Sequence, residues 1–247
     1  MLSRTTNLAR AVALSLAALV AGCGGGGDGL ATRSSASFYA GTMAGNRDAA
    51  AVQLPDGRYY LVYSAAGDAK TVGGALQGTG SVTGEAFSSS DTLDFAVASA
   101  GAMQKAATVN GVLTAVAFSG TETPAGGTPV DFQTTGYYAT APASLAALAG
   151  AYTGTAGFAL GVRPAVFTVA ADGSVTSSIN GCAITGTAAP RTDSDTYDLT
   201  ITFGGPPCVI QNVSFSGIAF LRPDNGKLYA VARNNTLKQS VIFTGTK

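Results

Sequence analysis

The sequence contains no histidine and no tryptophan, and only 11% of its 247 residues are charged. Without histidine the chain cannot form a Ser-His-Asp triad, a Cys-His pair or a histidine-ligated zinc, copper or haem site. Ser-x-x-Lys and Gly-x-Ser-x-Gly motifs are also missing, so a serine nucleophile would have no recognisable base. We therefore expect a protein that is not an enzyme, has no catalytic residues and needs no cofactor.

The chain also has no excess of charge of either sign. It holds 14 Lys and Arg residues against 14 Asp and Glu residues, so its formal net charge is zero. Binding to nucleic acid depends on many cations that contact phosphates, and 14 scattered cations do not make a strongly basic face. The composition therefore disfavours a nucleic-acid partner.

The first residues have the features of an export signal. Arg4 and Arg10 precede an apolar run, Ala11–Val20, that is much shorter than the roughly 20 residues a membrane-spanning helix requires. The following stretch, Val20-Ala21-Gly22-Cys23, resembles the lipobox of bacterial lipoproteins. The resemblance implies that residues 1–22 are a signal peptide that is removed, and that Cys23 carries a diacylglycerol and further acyl chains such as palmitate. An ordinary cleaved signal beside a chance cysteine is the alternative.

Residues 23–35 contain four consecutive glycines and favour neither helix nor strand, so we expect a flexible tether between lipid and folded protein. Two or more acyl chains hold a protein firmly on a membrane. In lipoproteins of enteric bacteria an Asp after the lipidated cysteine retains the protein in the inner membrane, and here that position is Gly24. The resemblance therefore implies a bacterial outer-membrane location, lipid-anchored on the periplasmic or cell-surface face.

The rest of the chain is predicted to be all-β. Short β-prone runs surround turn signals, which is typical of an antiparallel meander. The turns are predicted at Asp56-Gly57, Asn110-Gly111, Asp172-Gly173 and Asp224-Asn225-Gly226. We expect two tandem barrel-like or sandwich-like modules, residues 36–140 and 151–247, joined by a short helical linker at 141–150.

Four short stretches recur in the same order in both modules, which indicates duplication of a unit of about 100 residues. They pair 38–42 with 151–155, the Asp56-Gly57 turn with Asp172-Gly173, 91–95 with 195–199, and 118–120 with 215–217. Chance recurrence of short β motifs is the alternative.

Two cysteines, Cys182 and Cys208, lie in the second module. In an oxidising compartment outside the cytoplasm they are predicted to form a disulfide. Their wide spacing is unlike a Cys-x-x-Cys redox pair.

Carboxylates cluster at Asp193, Asp195 and Asp198, and Asp91 and Asp94 occupy the matching place in the first module. Such a group could bind calcium or act as acid and base on a glycan, with Asp195 as the residue to test. Aspartates that accept hydrogen bonds from their own turns are the alternative, and their repetition in both modules favours it. We therefore expect no metal site.

Three tyrosines lie on one hairpin arm, Tyr59, Tyr60 and Tyr63. Alternation places Tyr59 and Tyr63 on one face of the strand and Tyr60 on the other. If exposed, these side chains would form a binding surface for a protein or glycan partner. The alternative is that they fill a β core.

The layout resembles surface lipoproteins with transferrin-binding-protein-B-like β-barrels. The similar features are the lipidated Cys23 on a tether, Gly-rich and Thr-rich strands, Phe118-Ser119-Gly120 and Tyr137-Tyr138. The resemblance implies architecture and anchoring, and it carries no ligand with it. The leading hypothesis is a lipid-anchored envelope lipoprotein that presents a non-enzymatic β binding surface. Two alternatives are an Asp-dependent enzyme acting on envelope glycan and a barrel that encloses a small apolar ligand.

Overall fold

The computed structural model describes residues 36–97, 104–137, 142–158, 160–222 and 224–247. Within these residues the chain is nearly all β and forms two tandem eight-stranded antiparallel barrels. The predicted all-β class is confirmed.

The first barrel is an up-and-down meander in which the last strand returns to the first. Its strands are β1 Ser37–Met43, β2 Arg47–Gln53, β3 Arg58–Ala65, β4 Asp68–Thr79, β5 Ser81–Thr83, β6 Ala86–Asp94, β7 Lys105–Leu113, β8 Ala117–Pro124 and β9 Val130–Tyr137. β9 returns to pair with β1, and a short pairing between β4 and β6, Leu76 opposite Asp94, closes the circle. β5 is a short additional strand that, among the described strands, pairs with β6 alone.

The second barrel has the same winding without the additional strand. A short helix, α1 Leu145–Leu148, precedes β10 Gly150–Phe158, β11 Gly161–Val169, β12 Ser174–Ile179, β13 Cys182–Pro190, β14 Tyr197–Phe203, β15 Ser214–Arg222, β16 Lys227–Asn234 and β17 Gln239–Thr246. β10 pairs with both β11 and β17, which closes the barrel. The helix lies inside the predicted linker; Ser144 caps it, and Gly150 follows its last turn with a φ of 146°.

Two of the turn predictions illustrate what glycine does in this fold. Gly57 has a φ of 86° and turns the chain between β2 and β3 as predicted, and Gly173 does the same between β11 and β12 with a φ of 84°. The turn predicted at Asn110-Gly111 is wrong, because β7 continues through both residues. Gly111 lies opposite Gly120 of β8, and a Cβ at position 111 would be 2.1 Å from the Ser119 carbonyl oxygen. That glycine permits close strand approach within the sheet.

Each barrel encloses its own core, and a third cluster lies between them. The outward faces of β1–β4 in the first barrel pack against the outward faces of β15–β17 in the second. The buried residues of this inter-barrel cluster are Ala36, Phe38, Ala50, Val52, Leu54, Tyr60, Val62, Val72, Ala75, Phe95 and Val97 from the first barrel, and Ile218, Phe220, Tyr229, Val231 and Ile242 from the second. The barrels are therefore joined by an apolar interface as well as by the linker.

Three of the four recurring stretches fall on equivalent elements of the two barrels: β1 and β10, the turns after β2 and β11, and β6 and β14. The fourth does not, because residues 118–120 lie in β8 whereas 215–217 lie in β15, whose equivalent is β7. The barrels share their winding order, but that fourth match is not a structural equivalence.

Candidate functional site

The lipidation residue Cys23, the signal peptide and the tether lie in residues 1–35, outside the described residues. Tyr138 and residue 141 of the linker lie outside them as well. Among the described residues, no helix combines the length and the apolar character needed to cross a bilayer.

The tyrosine hairpin is buried, so its interpretation as a binding surface is wrong for the folded chain. Tyr59 and Tyr63 point into the first barrel and are 0% and 5% exposed, while Tyr60 is 1% exposed in the inter-barrel cluster. Tyr59 shares a 2.5 Å hydrogen bond with the Thr92 hydroxyl. Both faces of this strand are core faces, as the alternative held.

The carboxylates of the second barrel are held by an arginine. Arg191 binds Asp193 through two nitrogens, at 2.9 and 2.8 Å, and Asp198 at 2.7 Å. The hydrogen bond from Arg191 lowers the pKa of Asp193. The same guanidinium lies 3.8 Å from Asp56 of the first barrel. These aspartates therefore act as partners of a cation that bridges the two barrels.

The matching aspartates of the first barrel have different surroundings. Asp91 accepts hydrogen bonds from the Thr79 amide at 2.8 Å and from the Ser89 hydroxyl at 3.0 Å. Asp94 is 7% exposed and accepts a 2.8 Å hydrogen bond from the Tyr63 hydroxyl. Across the described residues, no three His, Cys, Asp or Glu side chains converge as metal ligands would.

An acidic side chain that sequence reasoning missed lies beside Asp94. Glu122 on β8 points into the barrel and is 2% exposed, and its buried Oε1 has no hydrogen-bond partner among the described residues. Burial, with the nearby Asp94 charge, raises the pKa of Glu122 to about 7. Burial also raises the pKa of Asp94. This end of the first barrel therefore encloses two carboxyl groups that ionise with difficulty.

The predicted disulfide is confirmed, and it borders a cleft. Cys182 begins β13, and Cys208 lies in the loop between β14 and β15. The bond fastens this loop to the barrel wall at the end where the β10–β11 and β12–β13 turns also lie, because alternate hairpins of a meander share one end.

The cleft at this end has a volume of about 120 Å³. Its floor is made by Phe158, Ile179 and Phe203, the last inward-facing residues of their strands. Leu160 and Val209 form the rim and are 47% and 71% exposed. An apolar floor with exposed apolar side chains around it is typical of a ligand site.

Arg163 is the charged residue of this cleft. It lies on the inward-facing row of β11 with Ala165, Phe167 and Val169, and pairs with Ala156 of β10. Its Nη1 donates a 2.8 Å hydrogen bond to the Val162 carbonyl. Strand alternation could have placed Arg163 inward, but only the fold shows that it meets a cleft built by three distant loops.

The opposite end of the second barrel is closed by α1. Leu148 of α1 is 1% exposed and borders an apolar void of about 30 Å³ inside the barrel. Its carbonyl accepts a 2.7 Å hydrogen bond from the Tyr152 hydroxyl, and the Tyr197 hydroxyl binds the Ser144 carbonyl at 3.0 Å. The second barrel thus has one closed end and one end with an apolar cleft.

No known protein family, curated protein or solved structure matches the chain.

Proposed function

We propose that this protein is a lipid-anchored lipoprotein of the bacterial outer membrane whose second barrel presents a non-enzymatic binding site. The observation that carries the binding role is the cleft of about 120 Å³, with its apolar floor of Phe158, Ile179 and Phe203 and its exposed rim. Exposing Leu160 and Val209 to water is unfavourable, and a ligand that covers them recovers that free energy.

The anchoring half of the proposal rests on Val20-Ala21-Gly22-Cys23 and the preceding apolar run. It is tested by expressing the full chain in a bacterium supplied with an alkyne-bearing palmitate analogue. The wild-type chain should take up the label and fractionate with outer membrane, whereas Cys23→Ser should do neither. Cys182→Ser/Cys208→Ser is the matched control and should still be labelled. Label retained by Cys23→Ser, or missing from the wild type, would contradict the anchor.

The binding half is tested with a neutral apolar probe, benzene, followed by ligand-observed NMR on the mature chain carrying Cys23→Ser. The double variant Leu160→Asp/Val209→Asp places carboxylates on the cleft rim and should weaken benzene binding by about tenfold or more. The matched control is Val112→Asp/Val116→Asp, which changes two exposed valines of the first barrel, 42% and 62% exposed.

Benzene binding that survives the cleft substitutions, or that both double variants reduce equally, would reject the cleft as the binding site. Thermal unfolding of both variants shows whether either change acts through loss of fold.

A further inference from the structure

Arg163 sits in a row where no other charge is found. Along the described strands of the second barrel, the inward-facing positions are apolar, glycine or uncharged polar apart from this arginine. Its neighbours on the row are Ala165 and Phe167, and the residue opposite is Ala156. Arg163 is half-buried, and a guanidinium that loses part of its hydration beside apolar side chains is stabilised when an anion pairs with it.

Among the described residues, the loops of the second barrel supply no such anion at this end. The described segments that reach the cleft end of the barrel are 160–163, 179–183, 203–214 and 233–239, with Phe158, and they contain no Asp or Glu. Among the described residues, the hydrogen bond of Arg163 to a backbone carbonyl is its one polar contact, and no carboxylate forms an ion pair with it.

Two other arginines of this barrel, Arg191 and Arg222, have carboxylate partners. Arg191 is paired with Asp193 and Asp198, and Arg222 is paired with Asp224 at 2.8 Å. Both lie at the α1 end, where the loops are rich in aspartate. Arg191 and Arg222 are therefore neutralised at the closed end, whereas Arg163 at the cleft forms no ion pair with any described carboxylate.

The size of the cleft limits the apolar part of a ligand. A dry cavity of about 150 Å³ lined by Leu, Ile and Phe accommodates benzene. The cleft, at about 120 Å³ and open on one side, therefore suits a ring or a chain of about six carbons.

We infer that the cleft binds a small amphiphile, with a carboxylate or phosphate head held by the Arg163 guanidinium and a short apolar group packed among Phe158, Ile179 and Phe203. The guanidinium offers a planar fork that matches either anion with two hydrogen bonds. This inference rests on the proposed function, since it assigns a ligand class to the same cleft.

The test compares four six-carbon probes that differ in head group: hexanoate, hexyl phosphate, 1-hexanol and hexylammonium. Calorimetric titration of the mature Cys23→Ser chain should show one or both anions binding about tenfold or more tightly than the alcohol, and the ammonium binding least. The two anions distinguish a carboxylate from a phosphate as the natural head group.

Substitutions of Arg163 then assign the preference to this side chain. Arg163→Gln should abolish the advantage of the anions over 1-hexanol, Arg163→Lys should retain part of it, and Arg163→Glu should reverse it in favour of hexylammonium. Arg233→Gln, on the outward face of β16, is the matched control and should leave the order unchanged.

Anions that bind no more tightly than 1-hexanol, or an anion preference that persists in Arg163→Gln, would overturn the inference. If all four probes bind equally and Leu160→Asp/Val209→Asp weakens them all, the cleft remains the binding site and only the proposed ligand class is rejected. Arg163→Glu keeps the inference testable should Arg163→Gln unfold, because a reversed preference cannot arise from loss of structure.

Discussion

Val97 of the first barrel packs directly on Gly157 of the second. A Cβ at position 157 would be 2.6 Å from Val97 Cγ2 and 3.2 Å from Val72 Cγ1, too close for the two barrels to keep their separation. Position 157 on β10 therefore has no room for a side chain. The methyl groups of Val97 cannot easily move aside, because a β-branched side chain has little rotational freedom.

Gly157→Ala should therefore destabilise the protein by about 1–3 kcal/mol through overpacking of the inter-barrel cluster. Urea unfolding followed by circular dichroism measures the change. Gly205→Ala is the matched control, because nothing lies within 4 Å of a Cβ at that position. Equal stability of the two variants would mean that the barrels tolerate a wider separation.

Glu122→Gln should change how stability depends on pH. The raised pKa of about 7 means that folded Glu122 keeps its proton at pH values where the unfolded chain, with a pKa near 4.5, has lost it. Stability contributed by this protonated form therefore falls as pH rises from about 4.5 to about 7. Glutamine cannot ionise, so the free energy of unfolding of the variant, relative to that of wild type, should rise as pH increases through this window. Below and above the window, the difference between the two proteins should not change with pH.

Urea unfolding at pH 4.5 and pH 8 tests this dependence. The exposed Glu85→Gln serves as the control and should follow the wild-type curve. If the Glu122→Gln and wild-type curves run parallel, Glu122 is ionised in the folded protein at neutral pH without penalty.

Cys182→Ala/Cys208→Ala should lower the free energy of unfolding by about 3–4 kcal/mol in the chain-entropy description, because the bond closes a loop across a sequence separation of 26. Denaturation with and without reductant provides the measurement. Reductant should destabilise wild type by a similar amount and leave the double variant unchanged. An effect of reductant on the double variant would show that the cross-link is not its target.

Leu148→Ala should destabilise the protein by about 2–5 kcal/mol, because it removes the buried side chain through which α1 closes the second barrel and enlarges the void beneath it. Leu237→Ala, 39% exposed, is the control and should change stability by about 0.5 kcal/mol or less. Similar losses in both variants would indicate that α1 does not seal the barrel.

Sequence reasoning succeeded where the local signal decides the structure. A turn needs a residue that accepts a positive φ, and Gly57 and Gly173 supply it within short polar stretches. Gly111 carries the same signal beside Asn110, but its role is set by Gly120 on the neighbouring strand. That pairing depends on register, which the sequence of one strand does not contain.

The tyrosine hairpin shows a second limit. Alternation assigned Tyr59 and Tyr63 to one face and Tyr60 to the other, and the structure has this arrangement. Alternation does not predict that the second barrel covers the outer face of this strand. Burial of both faces is a property of the pair of barrels, so the exposure of Tyr60 was not readable from its own strand.

The sequence alone does not predict the candidate site, the cleft of the second barrel. The disulfide was predicted from compartment and count, yet its place on the wall of a cleft follows from loops that are distant in sequence. Arg163 has no sequence motif that marks it, because its importance depends on described loops, distant in sequence, that contain no Asp or Glu.

Because of the inter-barrel cluster, each barrel depends on the other to cover its apolar outer face. A stop codon within 141–150 would release a first barrel whose outer wall, including Phe38, Val52 and Val62, is bare to water. Such a bare wall invites aggregation. Because each barrel covers apolar side chains of the other, loss or exchange of one barrel alone would leave the remaining barrel with this face exposed.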